Sequence, residues 1–371
     1  MIPLFKVYLP DSIDKPLLEV LHSGYVGQGI KVDKFEEALA PWMGTRNVLT
    51  LNSGTSALHL ALRLADVGSG DSVISTPVTC SATNTPIVNA SADIIWADVN
   101  PKTGNVDPNS IEPLIMGNTV AIMCVAWGGY LPDMDEINSI ADEYGLVVIL
   151  DAAHAFGAFY KGERIGSISD YTEFSFQAIK HLTVIDGGLL TCKSEADYKR
   201  GKLLRWYGID REGPRTDMRC ELDIAEAGYK YHMNDVNATI GLEQLNHVRE
   251  ILIKHLSNAE YYDGEFRARN LKRCKPLEYE NDRLSSYWLY TILVDDREAF
   301  REFMASKGIA VSAVHSRNDT HSCFTKFKTD ELPGVDEFSK HQVSIPVGWW
   351  VTEEDREQIM STIEEFDHVL A

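Results

Sequence analysis

Leu146-Val147-Val148-Ile149-Leu150-Asp151-Ala152-Ala153-His154 is a run of five apolar residues closed by a carboxylate and a turn of small residues. A segment apolar at every position, not at alternate ones, is a strand buried on both faces, the pattern of a parallel sheet covered by helices. Just upstream, Met134–Tyr144 spaces its apolar residues as an amphipathic helix, and Val120–Val125 is a second buried strand. The alternation continues outward on both sides. Asn47–Leu51 reads as a strand, Ser56–Ala65 as a helix, and Ser72–Ser75 and Ile94–Ala97 as short apolar runs bounded by turn residues. Downstream, Gly187-Gly188 leads into the strand Leu189–Thr191 and then the helix Glu195–Leu204. Units of this kind predict an α/β fold with a largely parallel sheet between two layers of helices.

From Asn234 the character changes. Val236, Ile240, Leu245, Val248, Ile251 and Leu256 recur at helical spacing without a proline, which predicts one long helix over Asp235–Glu265. A strand at Tyr290–Val294, a helix over Arg297–Lys307 and an amphipathic helix from Glu353 to about Leu370 follow. The expected organisation is a large α/β domain over residues 1–245 and a smaller α+β domain over residues 246–371.

Composition removes several classes. The 371 residues are 44% apolar and 24% charged, with 35 basic against 55 acidic side chains, a formal net charge of −20. No Lys/Arg block stands out, so a phosphate-backbone partner such as DNA or RNA is not expected. Met1–Pro10 has one Lys and no apolar core, unlike a secretory signal. Val120–Leu131, interrupted by Gly128-Gly129, falls well short of the roughly 20 residues a membrane span needs. Cys80, Cys124, Cys192, Cys220, Cys274 and Cys323 are scattered without metal spacing, which fits free thiols in a reducing compartment. The expectation is a cytoplasmic protein without a metal site.

Gly157 to Glu163 begins like a phosphate-binding loop, but Glu163 stands where the lysine belongs, and no G-x-G-x-x-G follows a strand. Four segments remain. Asn52-Ser53-Gly54-Thr55-Ser56 lies between a strand and a helix, where free N–H groups suit a phosphate or an ordinary cap. Asp151 ends a buried strand and faces the crevice where such sheets bind ligands, with His154 three residues on. A buried carboxylate needs hydrogen bonds or a cationic partner. Lys180, in Phe174-Ser175-Phe176-Gln177-Ala178-Ile179-Lys180-His181, precedes the turn Asp186-Gly187-Gly188. It is either a surface side chain or a desolvated nucleophile. Gly228–Asp235 reads only as a loop entering a helix.

In their order and spacing these segments resemble the DegT-type nucleotide-sugar aminotransferases, fold-type-I enzymes that use pyridoxal 5'-phosphate (PLP). The pattern is similar to that of sugar 4-aminotransferases of the GDP-perosamine synthase kind. The likeness runs from about Ile2 to the C-terminal helix and includes the early loop Ser23–Gly29, with Tyr25. It implies a mostly parallel seven-stranded sheet in the large domain. It implies that Lys180 holds PLP as a Schiff base and shuttles a proton, and that Asp151 bonds the pyridine nitrogen. Gly54, Thr55 and Ser175 would hold the phosphate, and His154 would lie near the ring hydroxyl. The family acts as a homodimer with shared sites, so the Gly228–Asp235 loop would reach the partner's cofactor.

Departures from the family pattern are Lys230 in place of a common Asn, His232 in place of Arg or Asn, and Cys80 in place of a stacking aromatic. Lys230 would then contact the partner's phosphate, and Cys80 would leave a thiol against the ring. The implied reaction passes through pyridoxamine 5'-phosphate (PMP). L-glutamate donates the amino group, and C4 of a nucleotide-linked 4-keto-6-deoxyhexose accepts it. Tyr25, Arg211, His315 and Arg317 are the candidate substrate contacts. The alternatives are amination at C3, a PMP-dependent 3-dehydratase, and a PLP-binding regulator without turnover. The dehydratases replace the lysine with His, whereas Lys180 is present here.

Overall fold

The computed structural model of the chain describes residues 1–213, 223–327, 329 and 331–369. Cys220 and the expected helix end at Leu370 lie outside the described residues. Two helices, α1 (Asp14–His22) and α2 (Ile30–Met43), precede the alternating region. That region runs β1 (Val48–Leu51), α3 (Gly54–Leu64), β2 (Ser72–Ser75), α4 (Ser81–Asn89), β3 (Asp93–Trp96), β4 (Thr119–Val125), α5 (Met134–Tyr144) and β5 (Val147–Asp151). A hairpin of β6 (Phe159–Tyr160) and β7 (Glu163–Arg164) leads to β8 (Tyr171–Ser175), β9 (Gly188–Cys192) and α6 (Glu195–Leu204). Then come α7 (Asp235–Leu245), α8 (Val248–Arg269), β10 (Cys274–Pro276), β11 (Arg283–Leu284) and β12 (Tyr290–Val294). The chain finishes with α9 (Arg297–Ser306), α10 (Pro333–His341), β13 (Gln342–Ile345) and α11 (Glu353–Val369).

The main sheet has seven strands in the order β1-β9-β8-β5-β4-β2-β3. All its pairings are parallel except those of β9, which runs antiparallel to β1 and β8. Side chains of β5 divide between its faces as a strand requires. Val148 and Leu150 pack with Phe35, Leu39 and Met43 of α2, whereas Ile149 packs with Ala57, Leu58 and Ala61 of α3. The helices therefore cover both faces, and the C-terminal ends of the parallel strands form one edge lined by Asp151 and its neighbours. Among the described residues no helix is long and apolar enough to cross a membrane.

The single long helix expected over Asp235–Glu265 is two helices, interrupted at Asn246-His247. Each half serves a different neighbour, which apolar spacing alone does not reveal. The first packs against α2, held also by Gln244 donating to the Tyr8 carbonyl. The second reaches the C-terminal core through Ala259, Tyr262 and Phe266. That core gathers the three-stranded sheet β10-β12-β13 with α9 and α11, and Ile2 from the other end of the chain. We propose that the division between the two domains falls at this break. Trp288, Leu289 and Phe338 cross it to pack with the α3 face of the main sheet.

Candidate active site

Ser53 caps α3, its hydroxyl accepting from the Ser56 N–H at 3.1 Å, so the first N–H groups of that helix open onto the end of the sheet. Beside it runs β9, whose Gly188 leaves no room for a Cβ against the Ser53 and Gly54 backbone. Asp151 is 5% exposed. Its Oδ2 accepts from Thr83 Oγ1 at 2.6 Å and its Oδ1 from the Ala153 N–H at 3.0 Å. These two bonds fix the carboxylate at the strand end without neutralising it.

Lys180 follows β8 in the loop that returns to Gly187, and its Nζ sits 3.6 Å from the centroid of the Trp288 ring. Burial pulls its pKa down to about 8, against the opposing charge of Asp151. Trp288 is anchored by donating Nε1 to the Ile179 carbonyl at 2.9 Å, and the His154 ring stacks on it at 3.9 Å. His154 is buried with Nδ1 lacking a partner, and desolvation holds its pKa well below the ordinary range. His315 lies 5.6 Å from His154 with parallel rings, its pKa lowered to about 4, first by burial and then by Lys180.

These groups line one cavity of about 370 Å³, with Gly54, Thr55, Cys80 and Ser175 also on its wall. Two β-branched residues on positive-φ backbone flank it, Ile185 (φ 76°) before Asp186-Gly187 and Val314 (φ 62°) before His315. The cavity therefore brings together eight of the residues singled out in the sequence: Gly54, Thr55, Cys80, Asp151, His154, Ser175, Lys180 and His315.

The other four candidates, Tyr25, Arg211, Lys230 and Arg317, lie elsewhere, as does His232. Lys230 is exposed, bridged through its backbone to Trp206, with Nζ 5.4 Å from the Trp206 ring. The Arg211 guanidinium stacks on the same indole at 4.0 Å and donates to the Gln28 carbonyl. His232 stacks on that indole too, at 3.5 Å, and burial lowers its pKa to about 4. Tyr25 is 83% exposed in the early loop. That loop and Gly228–Asp235 are joined by Asp235, whose carboxylate accepts from Gly29, Lys31 and Val32 N–H groups and so caps α2. Arg317 does not face the cavity. Its Nε and Nη2 grip Asp319 at 2.8 and 2.7 Å, and Nη1 reaches Asp336.

Thr83, Glu173, Gln177 and Trp288 complete the lining or hold it in place, and none was singled out in the sequence. Glu173 lies one residue before the quoted segment Phe174–His181, and a lone acid there carries no signal. The donor set suits PLP: a helix N-terminus for a phosphate, an amine whose pKa is lowered to about 8 for an aldehyde, and a fixed carboxylate for a ring nitrogen. Among the described residues no cluster of His, Cys, Asp and Glu is arranged to hold a metal ion.

The DegT/DnrJ/EryC1/StrS aminotransferase family model matches residues 9–364. The chain is 32% identical to the UDP-4-amino-4,6-dideoxy-N-acetyl-beta-L-altrosamine transaminase of Campylobacter jejuni, over 91% of this chain and 88% of that one. Among solved structures, AtS13 from Actinomadura melliaura superposes with a TM-score of 0.94 at 44% identity, covering 98% of both chains. Spr1654 from Streptococcus pneumoniae, 26% identical, has been solved in a PMP form and a PLP form. The PMP form superposes with a TM-score of 0.93 and covers the whole of both chains.

Proposed function

We propose, for a chain that belongs to the DegT/DnrJ/EryC1/StrS aminotransferase family and is thus a PLP-dependent sugar aminotransferase of fold type I, that it transfers the amino group of L-glutamate to C4 of a nucleoside-diphosphate 4-keto-6-deoxyhexose. The observation that carries the reading is the convergence of Lys180, Asp151 and the α3 N-terminus on one cavity. The named activity of the C. jejuni relative supports the choice of a 4-amino sugar nucleotide.

Bound PLP supplies an electron sink for the pair of electrons left when a proton departs the donor carbon. The chain's residues do the rest. Gly54 and Thr55 N–H groups with the Ser175 hydroxyl hold the phosphate, aided by the positive end of α3. Asp151, fixed by Thr83 and Ala153, keeps the pyridine nitrogen protonated. Lys180 Nζ first anchors the cofactor aldehyde carbon and, once released, carries the proton between donor Cα and cofactor C4′. His154, stacked on Trp288, borders the ring, and Cys80 at the start of α4 supplies a thiol contact.

His315 faces the sugar from the cavity wall, while Arg317, locked on Asp319, shapes the segment that presents it. Tyr25, Arg211 and Lys230 belong to a surface joined through Trp206 and Gln28, which a second copy of the chain brings to the neighbouring site. In that homodimer Lys230 bonds the partner's phosphate.

Two measurements test the reading. The purified holoenzyme should show the visible band of lysine-bound cofactor, bleached by L-glutamate; a band that glutamate leaves unchanged would favour a binding protein without turnover. A panel of nucleotide-linked 4-keto and 3-keto sugars with glutamate, read by mass spectrometry, should give amination of the 4-keto substrates. Amination of 3-keto sugars alone would transfer the assignment to C3.

A further inference from the structure

Glu173 is a buried acid of the cavity wall that the reaction above does not use. It lies on β8 directly in register with Asp151 of β5, so the two side chains project from neighbouring strands toward the same end of the sheet. Glu173 is 1% exposed, and neither carboxyl oxygen meets an N–H or O–H donor. On one side its Oε1 crowds the Gly54 backbone so closely that no Cβ fits there. On the other it faces its in-register neighbour, the Asp151 carboxyl, which is itself an acceptor. Two acceptors in contact need a proton between them, and two buried carboxylates side by side cannot both ionise. Asp151 already accepts from Thr83 and Ala153 whereas Glu173 has no donor, so a single negative charge seats on Asp151.

We propose that Glu173 is a neutral carboxylic acid that donates a hydrogen bond from its O–H to Asp151, a positioning residue that orients the Asp151 carboxylate toward the pyridine nitrogen and confines the pair to one negative charge. The electrostatics agree with the geometry: burial first, then the charge of Asp151, hold Glu173 protonated well above the usual carboxyl range. The other titratable groups that face it are Lys180 from the β8–β9 loop, which opposes the shift, and Cys80 from the start of α4. The single charge also bears on Lys180, whose amine must be neutral to react, because a second carboxylate beside it would favour the ammonium form.

The inference rests on the reading of Asp151 as the partner of the ring nitrogen, and the two can fail separately. Infrared spectroscopy of the apoprotein at neutral pH examines the pair with no cofactor present. The wild type should show the C=O stretch of a buried protonated carboxyl group, and Glu173→Gln should lose it. If no such band is present, or if Glu173→Gln leaves it unchanged, Glu173 is ionised and the proposal fails. The loaded enzyme then reports what the pair acts on. Glu173→Gln keeps an N–H donor for Asp151 and should stay within about threefold of wild-type kcat, with an unchanged pH titration of the visible band.

Glu173→Leu removes the donor and should lower kcat about a hundredfold through misorientation of Asp151, shifting that titration while leaving the glutamate KM nearly constant. Equal damage by Gln and Leu would overturn the proposal, as would a harmless Leu. If the Leu variant does not fold, the infrared result and the Gln variant decide. Should Glu173→Gln abolish turnover while Asp151→Asn spares it, Glu173 itself meets the nitrogen, and the assignment of Asp151 fails with the proposal. A harmless Asp151→Asn alongside an intact infrared band sinks the Asp151 reading alone.

Discussion

At the scale of single residues, the strongest constraint is the amine of Lys180. With a pKa of about 8, about a tenth of it is neutral at pH 7, whereas an ordinary lysine would leave only a few parts in ten thousand reactive. Capture of PLP by the apoprotein should therefore quicken with pH and level off just above pH 8; a rate still climbing at pH 10 would contradict the lowered value. Lys180→Ala should abolish both turnover and the borohydride-trappable adduct, while still binding PLP reversibly. For Asp151→Asn, which keeps the shape and removes the charge, a loss of about a thousandfold in kcat is expected, or about 4 kcal/mol of barrier. A variant within about tenfold of wild type would make Asp151 a structural carboxylate.

Apolar patterning drew attention to both residues but left each with two readings, and only the family resemblance gave them roles; the structure brings both to one cavity. Trp288 was not legible: it reaches Ile179 across 109 positions of sequence, and an indole in a strand-flanking turn carries no periodic mark. Glu173 was hidden differently. No strand was expected over Tyr171–Ser175, and an acid there gives no sign that helices cover both faces of the sheet and bury it.

At the scale of elements, the parallel core followed directly from Leu146–Leu150 and its neighbours, since strands buried on both faces leave a continuous apolar signature. The short helix α4 did not, because Ser81-Ala82-Thr83-Asn84-Thr85-Pro86 has the composition of a loop. It is a helix because its far side packs on α3, and because Asn84, buried, bonds Ser75, the Thr76 carbonyl and Asn318. The Asp235 junction is a similar case. Sequence showed a loop entering a helix, while the structure has that residue capping another helix more than two hundred positions away. Asp235→Ala leaves the N–H groups of Gly29, Lys31 and Val32 at the start of α2 without their acceptor and should destabilise the protein by about 2 kcal/mol in urea unfolding. Asp235→Asn, which retains an amide oxygen, should recover part of the loss. An Ala variant within about 0.5 kcal/mol of wild type would show that water replaces the cap at no cost.

At the scale of the whole molecule, the surface around the early loop is unusually apolar for a region without a cover. Leu18, Tyr25, Val26 and Ile30 are 55%, 83%, 45% and 64% exposed, beside the loop that carries Lys230. In the proposed two-fold dimer such a patch would be covered by its own copy, and each Lys230 would reach the other subunit's cavity. Lys230→Ala should then weaken PLP retention, through loss of a charge-assisted bond, while leaving unfolding midpoints nearly unchanged. Mixing two inactive variants, Lys180→Ala and Lys230→Glu, tests the sharing itself. After subunit exchange about half of the dimers are mixed, and each mixed dimer has one site with both defects and one with neither. Activity should therefore return to about a quarter of wild type. With exchange demonstrated by tagged subunits and the Lys230→Glu parent inactive alone, an absence of recovery would mean that Lys230 acts only on the site of its own chain.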